Sequence, residues 1–144
     1  MKRLIIICTG NSCRSQMAHG LLNSLNLKIE VYSAGTKPEK VNQFAVVAMN
    51  KIGIDISKYL SNSVDEYVSN QFDFVITLCD NAKDACPTFV NAKNFCHKHF
   101  MDPVNSKGSN KEKQDIYDNV RNELQEYFFD FSKRNLICKS WNII

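Results

Sequence analysis

Leu4-Ile5-Ile6-Ile7-Cys8-Thr9-Gly10-Asn11-Ser12-Cys13-Arg14-Ser15-Gln16-Met17-Ala18 is the stretch that decides the fold. Leu4 to Ile7 is a short, unbroken aliphatic run, the pattern of a strand covered on both faces. A polar turn containing Gly10 follows. Met17, Ala18, Leu21, Leu22 and Leu25 then recur at helical spacing and give one apolar stripe. The order is strand, tight loop, helix.

Outward from this unit the same alternation repeats. Ile29 to Ala34 reads as a second strand stopped by Gly35, and Phe44, Val47, Ala48 and Ile52 mark a second helix with Gly53 at its C-cap. Phe72 to Leu78 reads as a third strand running into Cys79. From Asp80 to Lys93 the chain is polar and irregular, and Pro87 excludes a continuous helix. Asn94 to His97 is a fourth strand, Val104 to Lys113 a polar loop, and Ile116, Val120, Leu124, Tyr127, Phe128 and Phe131 trace a long C-terminal helix. Strands alternating with helices predict an α/β domain: a single four-stranded parallel sheet flanked by helices on both faces. The domain is expected over 1–134, with 135–144, containing Cys138 and Trp141, as an extension of unassigned role.

Composition narrows the function. The 144 residues are 44% hydrophobic and 23% charged, ordinary for a globular domain. A net charge of +3, with the positive residues scattered, gives no basic stripe for nucleic acid. The N-terminal apolar run is shorter than the about 7–15 residues of a secretory core or the about 20 of a membrane span. A cytosolic monomer is expected. Six cysteines are many for that compartment, where persistent thiols tend to be catalytic, redox-active or metal-bound.

The chemistry concentrates in Cys8 to Ser15. A loop between a buried strand and a helix start aims backbone N–H groups at one spot, where the helix dipole adds about half a positive charge. Thr9, Gly10, Asn11, Ser12, Cys13 and Arg14 are the expected oxyanion-binding residues, with Gly10 easing the turn and the Arg14 fork matching two oxygens of a tetrahedral anion. Cys8 lies at the base of the same field, which favours its thiolate and makes it a nucleophile aimed at the bound anion. Ser15 is placed to hydrogen-bond that sulfur, and Asn11 to brace the loop. Cys13 is expected to pack behind it. Because ligands of open parallel sheets bind beyond the carboxyl ends of the strands, Cys8 and Cys79, each ending a strand, are expected at one rim.

Cys8-x5-Arg14-Ser15, with Gln16-Met17-Ala18 and Gly20, resembles the signature of the low-molecular-weight tyrosine phosphatase fold. It is most similar to that fold's thioredoxin-coupled arsenate reductases, since the phosphatases usually carry proline where this chain has Gln16. The similarity continues through Val31-Tyr32-Ser33-Ala34-Gly35, Gly53-Ile54-Asp55-Ile56-Ser57 and Asp102-Pro103. It implies reduction of arsenate by three cysteines: Cys8 attacks the anion, Asp102 protonates the departing oxygen, and Cys79 attacks Cys8 to release arsenite. Cys86 then attacks Cys79, leaving a Cys79–Cys86 disulfide for thioredoxin. It implies no cofactor. In some members a glutamate at the position of His19, with residues matching Asn11, Ser33 and Asp65, surrounds potassium; histidine is a poor ligand for that hard cation, so no metal is expected. Lys98-His99 replaces the family's usual tryptophan-glycine pair.

Two other functions fit parts of this pattern. A phosphatase would share the loop, the nucleophile and the acid; Gln16 and the Cys79/Cys86 pair argue for the reductase. A metal-binding or redox-sensing module would use Cys79, Cys86, Cys96, His97 and His99, whose spacing is not that of a regular zinc site.

Overall fold

A computed structural model describes residues 1–78 and 92–136. Four parallel strands, β1 (Lys2–Cys8), β2 (Ile29–Gly35), β3 (Phe74–Thr77) and β4 (Asn94–His97), form one sheet in the order β2-β1-β3-β4. The aliphatic run of the N-terminus takes a central position, with five consecutive buried residues from Leu4 to Cys8. Cys8 pairs with Gly35 and Ile7 with Thr77, so all these strand ends share one edge of the sheet.

Side-chain alternation along β1 divides the interior. Leu4, Ile6 and Cys8 join the cluster formed with α1 (Arg14–Ser24), α2 (Gln43–Asn50) and α3 (Asn110–Phe131). Ile5 and Ile7 turn the other way, onto Ala34, Phe72 and Val75, where Val64, Tyr67 and Val68 pack from a 3-10 turn (Val64–Glu66) and its continuation. Among the described residues, helical turns flank both faces, with three α-helices together on the first. One sheet and its two coverings make up the described part of the domain.

Local chemistry sets the element ends. Asn42 caps α2 by accepting from Phe44 N at 2.8 Å, and Gly53, at φ +79°, ends its C-terminal turn as the sequence predicts. β3 is shorter than predicted: Phe72 belongs to the second cluster, while Leu78 N still donates to Ile7 O at 2.9 Å. The predicted loop from Val104 to Lys113 is corrected at both ends. Pro103–Asn105 is a 3-10 turn capped by Asp102, and α3 begins at Asn110, where Ser109 and Glu112 form a capping box. Past Phe131 a π-helical turn carries the chain through Ser132–Leu136. Cys79, Cys86 and Cys138 lie outside the described residues.

Candidate active site

The loop from Thr9 to Cys13 is held from outside by its carbonyl oxygens. Lys37 N donates to Thr9 O (2.9 Å), Glu39 N to Gly10 O (2.8 Å) and Asn42 N to Ser12 O (2.8 Å). Asn11 O accepts from Gln16 Nε2 at 3.0 Å and from Ser61 Oγ at 2.7 Å. In a trans peptide the C=O of one residue and the N–H of the next point in opposite directions. Tying four successive oxygens to an outer collar therefore turns the N–H groups of Gly10, Asn11, Ser12 and Cys13 toward the inside of the loop. That is the donor array an oxyanion needs.

The sequence assigns the strained turn to Gly10, but the left-handed residue is Asn11, at φ 47°. Asparagine tolerates this region better than other non-glycine residues. Its side chain is also committed: Oδ1 accepts from Asn62 N at 2.9 Å and Nδ2 donates to Ser15 Oγ at 2.7 Å. Because a backbone N–H can only donate, Asn62 fixes which end of the Asn11 amide is oxygen. Ser15 Oγ, which accepts from Asn11, lies 3.0 Å from Cys8 Sγ and donates to that sulfur when it is a thiolate. The result is a directed chain from Asn11 through Ser15 to the Cys8 sulfur, with both Cys8 and Ser15 buried.

Arg14 opens α1 and is itself buried, at 3% exposure. Its Nη1 donates to Phe100 O (3.0 Å) and Leu78 O (3.3 Å), and its Nη2 to Asp102 Oδ2 (3.1 Å). Arg14 Nε has no partner among the described residues. The other Asp102 oxygen accepts from Val104 N at 3.1 Å and from the Cys13 thiol at 3.6 Å. Burial, and then the neighbouring Cys8 and Asp102, push the Cys13 thiol far above its ordinary range, so it stays protonated and donates. Cys13 also packs in the helical core cluster as expected. Cys8, Asn11, Cys13, Arg14, Ser15 and Asp102 thus converge on one loop. Leu78, the residue before Cys79, has its carbonyl on Arg14.

Residues missed from the sequence are those that arrive from elsewhere in the chain. Ser61, Asn62 and the backbone of Lys37, Glu39 and Asn42 build the collar. Their only sequence signal is a polar composition shared with any loop.

His19 Nδ1 lies 2.8 Å from Ser33 Oγ, and its ring packs on Tyr59 with centroids 5.1 Å apart. Burial pushes its pKa down to about 4, so the imidazole is neutral at pH 7. Ser33 bonds this imidazole, Asn11 Oδ1 accepts from Asn62 N, and Asp65 is exposed. Cys96 packs on the helical cluster, whereas His97 Nδ1 is 2.7 Å from Thr77 Oγ1. Consecutive strand residues face opposite sides, so this pair does not share a metal.

The turn between β1 and α1, with inward-facing N–H groups, a buried cysteine at its base and a buried arginine opening the helix, has the geometry of an oxyanion cradle. The chain belongs to the low molecular weight phosphotyrosine protein phosphatase family, whose pattern matches residues 3–136. Within that family it is similar to the arsenate reductase of Halalkalibacterium halodurans, 41% identical over 92% of this chain and 96% of that protein. It is 39% identical to the arsenate reductase of Bacillus subtilis over the same shares. A solved structure of an arsenate reductase in the phosphate binding state superposes with a TM-score of 0.80 at 30% identity, covering 93% of this chain and 98% of that one. The arginine phosphatase YwlE with a phosphorylated active-site serine gives 0.74 at 25% identity, covering 92% and 94%. Among the described residues, no helix is long and apolar enough to cross a membrane.

Proposed function

We propose that this protein is a cytosolic, monomeric arsenate reductase regenerated by thioredoxin. Arsenate sits on the N–H groups of Gly10 to Cys13 with Arg14. The Cys8 sulfur attacks arsenic, an As–O bond breaks, and Asp102 supplies the proton with which that oxygen leaves as water. Cys79 then attacks the Cys8 sulfur. The S–As electron pair passes to arsenic, arsenite departs, and a Cys8–Cys79 disulfide forms. Cys86 attacks Cys79, releasing Cys8 as thiolate, and the dithiol of thioredoxin reduces the Cys79–Cys86 disulfide. Each sulfur step is ordinary thiol–disulfide exchange.

The observation that carries this proposal is the Arg14 guanidinium, which donates to Asp102 and to the carbonyl of Leu78, at 3.1 and 3.3 Å. The anion-binding residue is thereby bonded to the proposed acid and to the residue preceding the proposed resolving cysteine.

Arsenite production with a thioredoxin system tests the relay. Cys8→Ser and Cys79→Ser abolish reduction, and Cys86→Ser allows one cycle without further turnover. Reduction undiminished in Cys79→Ser would overturn the relay. A second reading, phosphoester hydrolysis, is supported by the likeness to YwlE and by a cradle that suits phosphate as well as arsenate. Phosphatase turnover that survives Cys79→Ser is its signature.

A further inference from the structure

Of the four peptide planes that line the anion loop, three are held by backbone donors: those of Lys37, Glu39 and Asn42. The fourth, between Asn11 and Ser12, is different. Its carbonyl accepts from Gln16 Nε2 at 3.0 Å and lies 2.7 Å from Ser61 Oγ, whose single hydrogen it shares with Glu39 O. It also follows the one left-handed residue of the loop, at φ 47°. Rotation of this single plane, through ψ of Asn11 and φ of Ser12, would exchange an N–H facing the anion for a carbonyl oxygen facing it. A donor would be replaced by a repelling dipole.

Gln16 is fully buried and uses only its amide nitrogen, which donates to Asn11 O and to Leu60 O, each at 3.0 Å. Both acceptors are carbonyls, so the amide cannot be turned round. Its Oε1 is buried with no partner among the described residues. A buried, unsatisfied oxygen works against stability, so this side chain is poorly explained as packing. We infer that Gln16 and Ser61 are positioning residues for oxyanion binding: together they lock the Asn11–Ser12 peptide so that Ser12 N–H faces the anion.

The inference rests on the oxyanion site of the proposed function but not on its redox relay, so inorganic phosphate serves as the probe. Titration of the fully reduced protein is followed by the backbone amide resonances, alongside urea unfolding. In the wild type, Gly10, Asn11, Ser12 and Cys13 amides all shift with phosphate. Gln16→Met and Ser61→Ala each weaken binding about fivefold, and the pair about thirtyfold, as expected for one and two lost hydrogen bonds. In the double variant the Ser12 amide ceases to respond while Gly10, Asn11 and Cys13 still do, and Gln16→Met unfolds at an unchanged or higher urea concentration.

Unaltered affinity in the double variant overturns the inference. So does an equal loss of response at all four amides, which marks a general collapse of the loop; Ser61→Ala, made at the partly exposed member, guards against a folding failure of Gln16→Met. A wild type whose amides ignore phosphate removes the oxyanion site itself, and this proposal with it.

Discussion

Gly35 lies against the backbone of the anion loop so closely that a Cβ built on it stands 2.6 Å from Thr9 O and 2.8 Å from Asn11 N. Both are backbone atoms held in place by the collar, so neither can move aside as a flexible side chain would. Gly35→Ala should therefore destabilise the protein by about 1–3 kcal/mol, the usual cost of overpacking. Its phosphate affinity should fall more than its stability does, because the displaced atoms belong to the cradle. Urea unfolding and phosphate titration on the same sample check both. An alanine variant with wild-type affinity means the loop relaxes freely.

Ser15 is the last link of the chain that starts at Asn11 and ends at the Cys8 sulfur, at 2.7 and 3.0 Å. A hydrogen bond to a charged sulfur contributes more than one between neutral groups. Ser15→Ala should lower kcat for arsenate reduction about 10–100-fold with little change in KM. The nucleophile loses its donor, whereas the N–H groups that bind the anion are untouched. Steady-state rates at saturating arsenate settle it; a loss confined to KM points instead to a displaced loop.

What the sequence makes legible is what it carries contiguously. Leu4 to Cys8, the polar turn and the Met17–Leu25 stripe announce β1, the loop and α1, because periodicity and turn chemistry are local properties. Ser109-x-x-Glu112 is an equally local signal for the start of α3, but the reading of Val104 to Lys113 as one polar loop passes over it. Gly35 reads only as the stop of β2, and Ser61 and Asn62 could not be singled out. Their roles arise only when β2 pairs with β1 and the segment through Leu60 and Ser61 closes on the loop, and nothing nearby in the chain records that approach. Asp102 stands between these cases: beside Pro103 it reads as a turn residue, which it is, and only the fold adds Arg14 as its partner.

Arg14 joins the segments that follow β3 and β4, besides being the proposed anion ligand. Arg14→Lys keeps the charge but not the planar fork, so it cannot hold Leu78 O, Phe100 O and Asp102 together. Phosphate affinity should drop about 10–100-fold, the worth of one charge-assisted hydrogen bond. Stability should fall as well, which separates Arg14 from a purely ligand-facing arginine. Comparison of urea midpoints with and without saturating phosphate distinguishes the two losses; an unaltered midpoint for the ligand-free variant excludes the structural role.

His19 sets a pH dependence whose sign follows from its burial. In the unfolded chain it takes a proton near pH 6.5, whereas in the folded protein burial holds it neutral down to about 4. Between those values the unfolded state binds more protons, so stability falls as the pH is lowered from about 6.5 to about 4 and levels off below. At about 1.36 kcal/mol per pH unit, that gap caps the effect at about 3 kcal/mol. His19→Gln, which can still bond Ser33, removes the titrating group and should flatten this part of the profile. Urea unfolding of both proteins at intervals from pH 7 to 4.5 measures the difference. Parallel profiles would assign the acid sensitivity to other groups and leave His19 a packing residue against Tyr59 and Ser33.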